Sequence, residues 1–493
     1  MSTKLLKGGT VILHGENDAL SFTKADILVE RNTISRIEWS ITVPPGCEII
    51  DCRDKIISTG FVDTHHHMWE SALKGLCEDL TCVSYFAQMF TASFTFTPDD
   101  VYWGNLAGCL EAIDAGTTTV LDFAHMNWTK DHGKQALAGT ITSGIRSVFA
   151  FAPTVTLKQA YPKPEITDLL PDWFMPTLEQ LVQSKHIKTD DARVSMGFAF
   201  DYYFMPQDVV IDIFSKVRSL GIDIVTSHWA RFPGQVDNNL PRLLKSYGLL
   251  DERIVLSHVG GATVEDVQLL NEAKAFASAS PSVEMTMGLG PPVCFRHDLP
   301  NMDSVCSLGV DCHHSTSGSM VNEMRVGLLS ARGAHAVQSL ADGVVPDKVC
   351  RTAHDAYIMG TIQGARALCM EDQIGSIKVG KKADLVIFGT DSPAMTGAAH
   401  YDPVKAIVMH SSIADVDMVI VDGVIRKRNG KLLPAPGVIW SDSNEEFIET
   451  GTTISWKEIS AAVLETQQRF VSKLPEFDME QLKAFVRGLY NIP

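Results

Sequence analysis

The sequence predicts an α/β fold: a (β/α)8 TIM barrel, a small β-sandwich domain built from both chain ends, and a C-terminal helical tail. Between residues 56 and 315, eight β-rich segments alternate with helix-like segments and no long hairpin signal interrupts them. Seven of these eight units end in histidines or acidic residues, at the strand ends where barrel enzymes carry their chemistry. No Gly-rich phosphate loop follows any segment, which argues against an open nucleotide-binding sheet.

The composition is that of a globular enzyme. The 493 residues include 42 Lys and Arg against 59 Asp and Glu, a formal charge of −17. Because this charge repels polyanions, we expect no nucleic-acid and no membrane partner. The first residues lack the apolar core of a signal peptide, and the ten cysteines form no Cys-x-x-Cys pair. We therefore expect a cytoplasmic protein with reduced thiols.

Both ends of the barrel region are flanked by strand-like sequence. Residues 1–57 contain short β-rich runs separated by turns, and they are too few to build a large core alone. Residues 376–435 return to the same style, so we expect the two parts to form the β-sandwich together. The barrel is assigned to residues 58–375, with strand segments at 56–62, 117–124, 145–152, 194–200, 222–228, 253–258, 275–280 and 305–311.

The first barrel strand carries the strongest chemical signal. Residues 56–62 are apolar, and three histidines follow at 65–67. Because side chains alternate along an extended chain, His65 and His67 share a face and His66 points away. Two imidazoles on one face can hold a single metal ion. The other units end in His125, Asp201, His228, His258, Glu284 and Asp311.

Residues 436–493 form the predicted helical extension. Ser455 and Glu458 form a capping box that opens a helix toward Lys473, and a second helix is expected over 479–489. Apolar positions on these helices are expected to pack on the body or on another subunit. We expect a homo-oligomer.

Two motifs resemble the amidohydrolase superfamily. The segment Gly60-Phe-Val-Asp-Thr-His-His-His, with Met68-Trp69 and Leu73-Lys-Gly-Leu downstream, is similar to its first metal-binding strand. The segment from Gly364 to Phe388 resembles the passage from barrel to β-sandwich. The likeness is to the branch of triazine hydrolases, cytosine and guanine deaminases and adenosine-analogue deaminases. It covers about residues 5–430 and excludes the tail.

The resemblance implies a mononuclear metal site and a mechanism. It places the ligands on His65, His67, His228 and Asp311. His258 is implied to orient the metal-activated water or to stabilise an oxyanion, and Asp311 to move the water's proton to the leaving group. Strand four ends without the lysine of binuclear relatives, so one divalent ion is expected, zinc first and iron as the alternative.

One position departs from the family pattern. Deaminases of this branch carry a glutamate three residues after the strand-five histidine, and Arg231 stands there. Arginine stays protonated and cannot shuttle a proton. Glu284 or Asp201 could replace the missing acid, or the substrate needs none. Arg231 could instead clamp a carboxylate or an oxyanion, or form an ordinary surface salt bridge.

Five further residues are candidates for substrate contact. His313 and His314 could replace the acid or bind substrate, with a structural role equally open. Trp69 and Trp229 could stack on a planar substrate or only wall the barrel mouth. His125 is a similar pocket candidate.

These observations predict a metal-dependent hydrolase acting on a small molecule. The bond cleaved is a non-peptide C–N bond of a cyclic or aromatic substrate, by amide or lactam hydrolysis or by deamination. One alternative is the same metal barrel performing decarboxylase or lyase chemistry. Another is a non-catalytic binding barrel.

Overall fold

A computed structural model describes residues 3–189, 191–231, 239–490 and 492. Its strands, in chain order, are β1 (Lys4–His14), β2 (Leu20–Glu30), β3 (Thr33–Glu38), β4 (Glu48–Asp51), β5 (Lys55–Thr59), β6 (Phe61–His67), β7 (Thr117–Ala124), β8 (Arg146–Phe151), β9 (Leu157–Gln159), β10 (Glu165–Ile166), β11 (Val194–Ala199), β12 (Val225–Ala230), β13 (Ile254–Gly260), β14 (Phe276–Ala279), β15 (Cys306–Leu308), β16 (Asp311–Cys312), β17 (Leu385–Gly389), β18 (Val416–Val421), β19 (Val424–Arg428), β20 (Lys431–Leu432), β21 (Ala435–Ser441) and β22 (Glu446–Ile454).

The helices surround these strands. They are α1 (Cys82–Thr95), α2 (Pro98–Asp114), α3 (Lys130–Ser143), α4 (Phe174–Val182), α5 (Lys185–Lys188), α6 (Gln207–Ser219), α7 (Leu240–Ser246), α8 (Val264–Ala273), α9 (Pro281–Met287), α10 (Met320–Ala341), α11 (Ala353–Ile358), α12 (Gly364–Ala367), α13 (Thr396–Tyr401), α14 (Pro403–Lys405), α15 (Trp456–Lys473) and α16 (Met479–Tyr490). A 3-10 segment, Met68–Leu73, follows β6 directly. Within the described ranges, none of the helices combines the length and apolar character needed to cross a bilayer.

The central sheet is parallel and closes on itself. Its order is β15-β14-β13-β12-β11-β8-β7-β6-β16. The segments β15 and β16 together make the eighth strand position, since β15 pairs with β14 and β16 pairs with β6. With helices between successive strands, this arrangement is a TIM-type barrel, as the sequence predicted.

The apolar run at 56–62, predicted as one strand, is divided at Gly60. The residues before it form β5, which pairs with β1 and β17 in a second sheet, whereas the residues after it begin the barrel strand β6. A Cβ on Gly60 would lie 2.0 Å from Thr118 Oγ1. A side chain would therefore prevent the close approach that lets the chain pass from one sheet to the other.

The second sheet joins the two ends of the chain. Nine strands, β1–β5 and β17–β20, lie in one sheet, most of them antiparallel. Its own apolar core includes Ile27, Ile57 and Ile387. The buried Arg146 at the start of β8 pairs with Asp384 and Asp422 at 3.0 Å each, which ties this sheet to the barrel.

The extension after residue 435 differs from the all-helical prediction. It begins with an antiparallel hairpin of β21 and β22, which packs on α3 through hydrogen bonds between Thr142 and Val438. The two predicted helices follow as α15 and α16, and the capping box of Ser455 and Glu458 is present. The short apolar run of Val438, Ile439 and Trp440, rich in β-branched and aromatic residues, is the strand signal in this region.

Candidate active site

Four histidines and one aspartate converge at the C-terminal ends of the barrel strands. His65 and His67 come from β6, His228 from β12, His258 from β13 and Asp311 from β16. Asp311 Oδ1 lies 3.1 Å from His65 Nε2 and 3.2 Å from His67 Nε2, and Asp311 Oδ2 lies 3.6 Å from His258 Nε2. His228 Nε2 is 3.3 Å from His67 Nε2. Sequence reasoning placed all five at strand ends, and the fold brings them together.

The backbone aims these side chains in two ways. The extended β6 directs His65 and His67 into the cluster, while His66 turns away to Asp63 and His313 at 2.7 and 2.8 Å. His258 and Asp311 instead have positive φ, 72° and 69°. Such conformations are strained for residues other than glycine and are common where a side chain must be re-aimed at a functional site.

A second layer of groups fixes each imidazole. Nδ1 of His65 bonds Ser257 Oγ at 2.8 Å, and Nδ1 of His67 donates to the Phe123 carbonyl at 2.9 Å. Asp201 accepts from both the backbone N and Nδ1 of His228, at 2.8 Å each. All three rings therefore present Nε2 to the cluster. Partners of this kind set the tautomer and orientation of metal ligands.

The donor set fits a divalent cation. His65 Nε2 is buried, and its only described polar neighbour, Asp311 Oδ1 at 3.1 Å, does not meet it with hydrogen-bond geometry. Burial alone would raise the pKa of Asp311, but His258 and His65 hold it well below its usual range, so the group is a carboxylate. Ligand atoms of His65, His228, His258 and Asp311 all lie within 4.8 Å of one another. Three or four imidazoles with one carboxylate are typical zinc ligands.

The proposed acids Asp201 and Glu284 lie behind two of the histidines. Asp201 is engaged with His228, as described above. Glu284, on α9, has Oε1 3.4 Å from His258 Nδ1 and accepts from Ser280 N at 2.8 Å. Burial raises the pKa of Glu284, and His258 offsets part of that rise. Both carboxylates thus support histidines of the cluster.

Arg231 is held by the protein itself. Its Nη1 and Nη2 donate to the buried Asp266 at 2.8 and 3.1 Å, and Nη1 also donates to the Gly261 carbonyl at 2.7 Å. The guanidinium stacks on Trp229, 4.9 Å from its ring. These contacts favour an internal ion pair over a substrate clamp, and they give Trp229 a partner within the protein.

His313 and His314 have different surroundings. Both nitrogens of His313 are satisfied, Nδ1 by His66 at 2.8 Å and Nε2 by Glu111 at 3.0 Å. Burial lowers the pKa of His313 to about 4. His314 Nδ1 donates to Glu70 Oε2 at 2.9 Å, whereas its buried Nε2 has no partner among the residues that the structure describes.

The remaining candidates belong to a hydrogen-bonded chain beside the cluster. Trp69 Nε1 donates to His125 Nδ1 at 3.2 Å, His125 Nε2 lies 3.3 Å from Tyr85 Oη, and Tyr85 Oη donates to Glu70 Oε1 at 2.8 Å. The His125 and His67 rings lie 3.9 Å apart. Sequence reasoning missed Glu70 and Tyr85. The position of Glu70, three residues after His67, could have indicated it, but Tyr85 has no local signal.

The comparisons with known proteins agree with this geometry. The model of the amidohydrolase family matches residues 56–202 and 228–426. The chain is 24% identical to a 5-methylthioadenosine/S-adenosylhomocysteine deaminase from Thermoanaerobacter pseudethanolicus, over 87% of this chain and 94% of that protein. It is 26% identical to a 5'-deoxyadenosine deaminase from Methanobrevibacter smithii, over 83% of this chain and 89% of that protein.

Solved structures show the same fold. A zinc-bound adenosine deaminase from Xanthomonas campestris superimposes with a TM-score of 0.75, 18% identity and coverage of 96% of this chain and 99% of that one. An atrazine chlorohydrolase from Arthrobacter aurescens, complexed with zinc, gives a TM-score of 0.75 at 18% identity, covering 94% and 100%. The hydrolase prediction is the one that these matches support. With most of the barrel and much of the second sheet matched, the chain belongs to the amidohydrolase family.

Proposed function

We propose that the chain uses one divalent metal ion, held by His65, His67, His228 and Asp311, to deaminate a small nitrogen heterocycle. The observation that carries this proposal is the convergence of His65, His228, His258 and Asp311 at the ends of the barrel strands, with His67 in contact with Asp311 and His228. Zinc is the proposed ion because the ligands are mainly imidazoles, with iron as the alternative. A bound metal would supply a Lewis acid that lowers the pKa of a water molecule toward neutrality.

Asp311 and His258 would carry out the proton transfer and the hydrogen bonding that the reaction needs. Asp311 is ionised, so its carboxylate can accept the proton of the attacking water. His258 lies 3.6 Å from Asp311 Oδ2 and can donate a hydrogen bond to the attacking oxygen while the tetrahedral intermediate forms. Glu284 faces the other nitrogen of His258 and favours its protonated form, which suits this role.

The substrate class follows from the relatives and from the aromatic walls. Two of the similar proteins are named for adenosine analogues. The buried Trp69 and the Phe123 ring, 4.1 Å from the His228 ring, provide flat apolar surfaces beside the cluster. Amide or lactam hydrolysis is the second candidate, because Arg231 stands where deaminases of this branch carry their acid.

We also propose a division of the chain into three parts. Residues 1–57 and 376–435 form the small β domain, 58–375 the barrel and 436–493 an extension, and β5 continues the small domain as far as Thr59. We also propose that the protein is a homo-oligomer located in the cytoplasm.

The experiment combines elemental analysis with a substrate panel. We expect about one zinc or iron per wild-type chain, and loss of that metal in His65→Ala and Asp311→Asn. The metal-loaded enzyme is then offered 5'-deoxyadenosine, 5'-methylthioadenosine, cytosine, an amino-s-triazine and a lactam. Ammonia release supports deamination, and ring opening of the lactam supports the second candidate. If the wild-type protein binds no metal even after reconstitution, both the deamination proposal and the lactam-hydrolysis candidate are contradicted.

A further inference from the structure

Two half-buried arginines have no acceptor for their side-chain N–H groups. Arg193 immediately precedes the barrel strand β11, and Arg426 lies on β19 of the second sheet. Within the described part of the chain, neither guanidinium forms a hydrogen bond or an ion pair, and the Nε atom of Arg426 is buried. A guanidinium carries five N–H donors, and buried donors in proteins are normally paired. The unused donors therefore call for an explanation.

The fold brings the two guanidiniums to one place. The register of β8 and β11 sets Arg193 beside Arg146, and the Arg193 carbonyl accepts from Ser147 N at 3.0 Å. Arg426 reaches the same place from the second sheet, since a Cβ added to Gly144 would overlap its guanidinium. Burial lowers the pKa of Arg426 to about 10, and the charge of Arg193 contributes to this fall. The two cations are thus close enough to repel each other.

The nearby carboxylates are engaged by other cations. Asp384 and Asp422 each accept from the buried Arg146 at 3.0 Å. Lys382 Nζ lies 3.8 Å from Asp422 Oδ1 and 3.8 Å from Oδ1 of the exposed Asp191. These three carboxylates therefore leave no direct partner for the two unpaired guanidiniums.

The end of helix α3 balances only part of the positive charge. This helix ends at Ser143, with Gly144 as its left-handed cap, and Arg426 lies against that cap. The C-terminal end of a helix attracts cations, but its dipole is equivalent to only about half a negative charge. No hydrogen bond joins the Arg426 guanidinium to the carbonyl oxygens of α3 within the described ranges. The donors remain open after this contact is counted.

We propose that Arg193 and Arg426 bind a tetrahedral oxyanion of the phosphate class between the barrel and the second sheet. Each guanidinium can donate two parallel hydrogen bonds to such an anion, and a dianion matches their combined charge. Both side chains are partly exposed, so a dissolved anion can reach them. Free phosphate and phosphate monoesters present the same oxygens, and both belong to this class.

The site is separate from the catalytic cluster. Arg146 and Arg193 stand at the beginnings of β8 and β11, whereas the metal-binding residues lie at the opposite ends of the barrel strands. The six residues of β8 alone span roughly 17 Å. The oxyanion would therefore contact no reacting group. It would stabilise the contact between barrel and second sheet, because a ligand that binds only the folded state raises its stability.

The experiment is a titration of the metal-loaded full chain with inorganic phosphate and with methyl phosphate. Calorimetry gives the stoichiometry, and sodium chloride keeps the ionic strength constant. Arg193→Gln and Arg426→Met should each bind one phosphate fewer per chain than the wild type, or bind it about 10-fold or more weakly, because charge-assisted hydrogen bonds are lost. A phosphate ion held by the catalytic metal would be retained in both variants. Tighter binding of phosphate or of methyl phosphate identifies the source of the oxyanion.

Thermal unfolding without phosphate separates loss of the site from misfolding. An unpaired, partly buried cation destabilises the folded state, so Arg426→Met should unfold at the same temperature as the wild type or higher. Phosphate at about 100 times its Kd should raise the unfolding temperature of the wild type by about 2 °C or more, and that of Arg426→Met by less. The control is Arg36→Gln, which removes the same charge from an exposed pair with Glu38 in the second sheet. It should bind phosphate as the wild type does.

The results decide the proposal independently of enzymatic activity. Loss of one phosphate in both arginine variants, with wild-type binding by Arg36→Gln, supports the site. Equal phosphate binding by the wild type and both variants overturns it, as does an equal stabilisation by chloride at the same ionic strength. The proposed hydrolase is untouched by either result, because no catalytic group takes part in the titrated contacts.

Discussion

At the scale of single residues, Asp201 is the clearest example of a group that acts through another. It does not enter the metal-binding cluster. It accepts from the backbone N and from Nδ1 of His228, so it fixes both the chain and the ring at this strand end. Its two oxygens leave His228 Nε2 as the only ring nitrogen able to bind a metal.

Asp201→Asn should therefore weaken metal binding without removing a ligand. An amide can present its oxygen to only one of the two donors, so His228 loses either its orientation or its charge stabilisation. We expect a 10- to 100-fold fall in metal affinity, measured by competition with a chelator. Asp208→Asn, an exposed position at the start of α6, is the control and should bind as tightly as wild type. Equal affinity of the Asp201 variant would contradict this role.

At the scale of elements, α2 positions the segment that carries Trp69 and Glu70. Gly104 and Gly108 lie on the face of α2 that meets Met68–Leu73. A Cβ on Gly104 would lie 2.3 Å from the Trp69 carbonyl oxygen, and one on Gly108 would lie 2.2 Å from that of Met68. The obstructing atoms are backbone, so they cannot rotate away.

Gly104→Ala should therefore destabilise the protein by about 1–3 kcal/mol and displace Trp69 from His125. The measurements are the unfolding midpoint and the fluorescence of the metal-loaded protein. Gly333→Ala is the matched control, because Gly333 lies in α10 and no described atom outside its own helical turn comes within 4 Å of the added Cβ. Removing this helical glycine should stabilise the protein by up to about 1 kcal/mol. Replacing glycine by alanine should therefore lower the stability at position 104 and raise it at position 333.

The C-terminal helix α16 packs against the first helix of the barrel. Tyr490 stacks on Phe86 with ring centroids 4.8 Å apart, and Phe485 contacts Phe90 at 5.9 Å. Phe86 follows Tyr85, which belongs to the hydrogen-bonded chain beside the cluster. The extension therefore stabilises a wall of the active site, although it lies outside the matched family region.

Tyr490→Ala should release α16 while the barrel stays folded. Loss of the stacked ring removes most of the apolar contact at the end of the helix, so backbone hydrogen exchange over Met479–Tyr490 should accelerate more than in the rest of the protein. Leu489→Ala, which alters a more exposed neighbour, should have little effect. A uniform acceleration throughout the chain would instead indicate global destabilisation.

At the scale of the whole molecule, the features that could be predicted are those set by local sequence pattern. Features set by contacts between residues far apart in the chain could not be predicted. The barrel could be predicted from the alternation of strand-like and helix-like segments. The shared face of His65 and His67 could be predicted because side chains alternate along a strand. The positive φ at His258 and Asp311 has no such signal, because neither residue type requires this conformation. The pairing of Arg231 with Asp266 was equally hidden, since Asp266 lies 35 residues away and reads locally as part of a helix cap.

The stability of the whole chain should depend on pH through the buried Glu323. This residue begins α10 and accepts from Ser282 N and Oγ at the start of α9, at 2.9 and 2.6 Å. Burial raises its pKa to about 7, although the bonds from Ser282 lower it in part. The folded state therefore binds this proton more tightly than the unfolded chain. Its contribution to stability is complete below the unfolded pKa, near 4.5, and is lost as the pH rises through about 7.

Between pH 5 and pH 8, the wild type should lose about 2.5 kcal/mol more unfolding free energy than Glu323→Gln, because glutamine cannot ionise. Denaturant unfolding at several pH values, all in metal-loaded protein, measures this difference. Glu265→Gln removes the same charge from an exposed pair with Arg242 and controls for the net charge of −17. If the Glu323 and Glu265 variants follow the same pH dependence, the buried carboxyl does not carry it. If only the Glu323 variant is flatter, the carboxyl between α9 and α10 carries this part of the pH dependence.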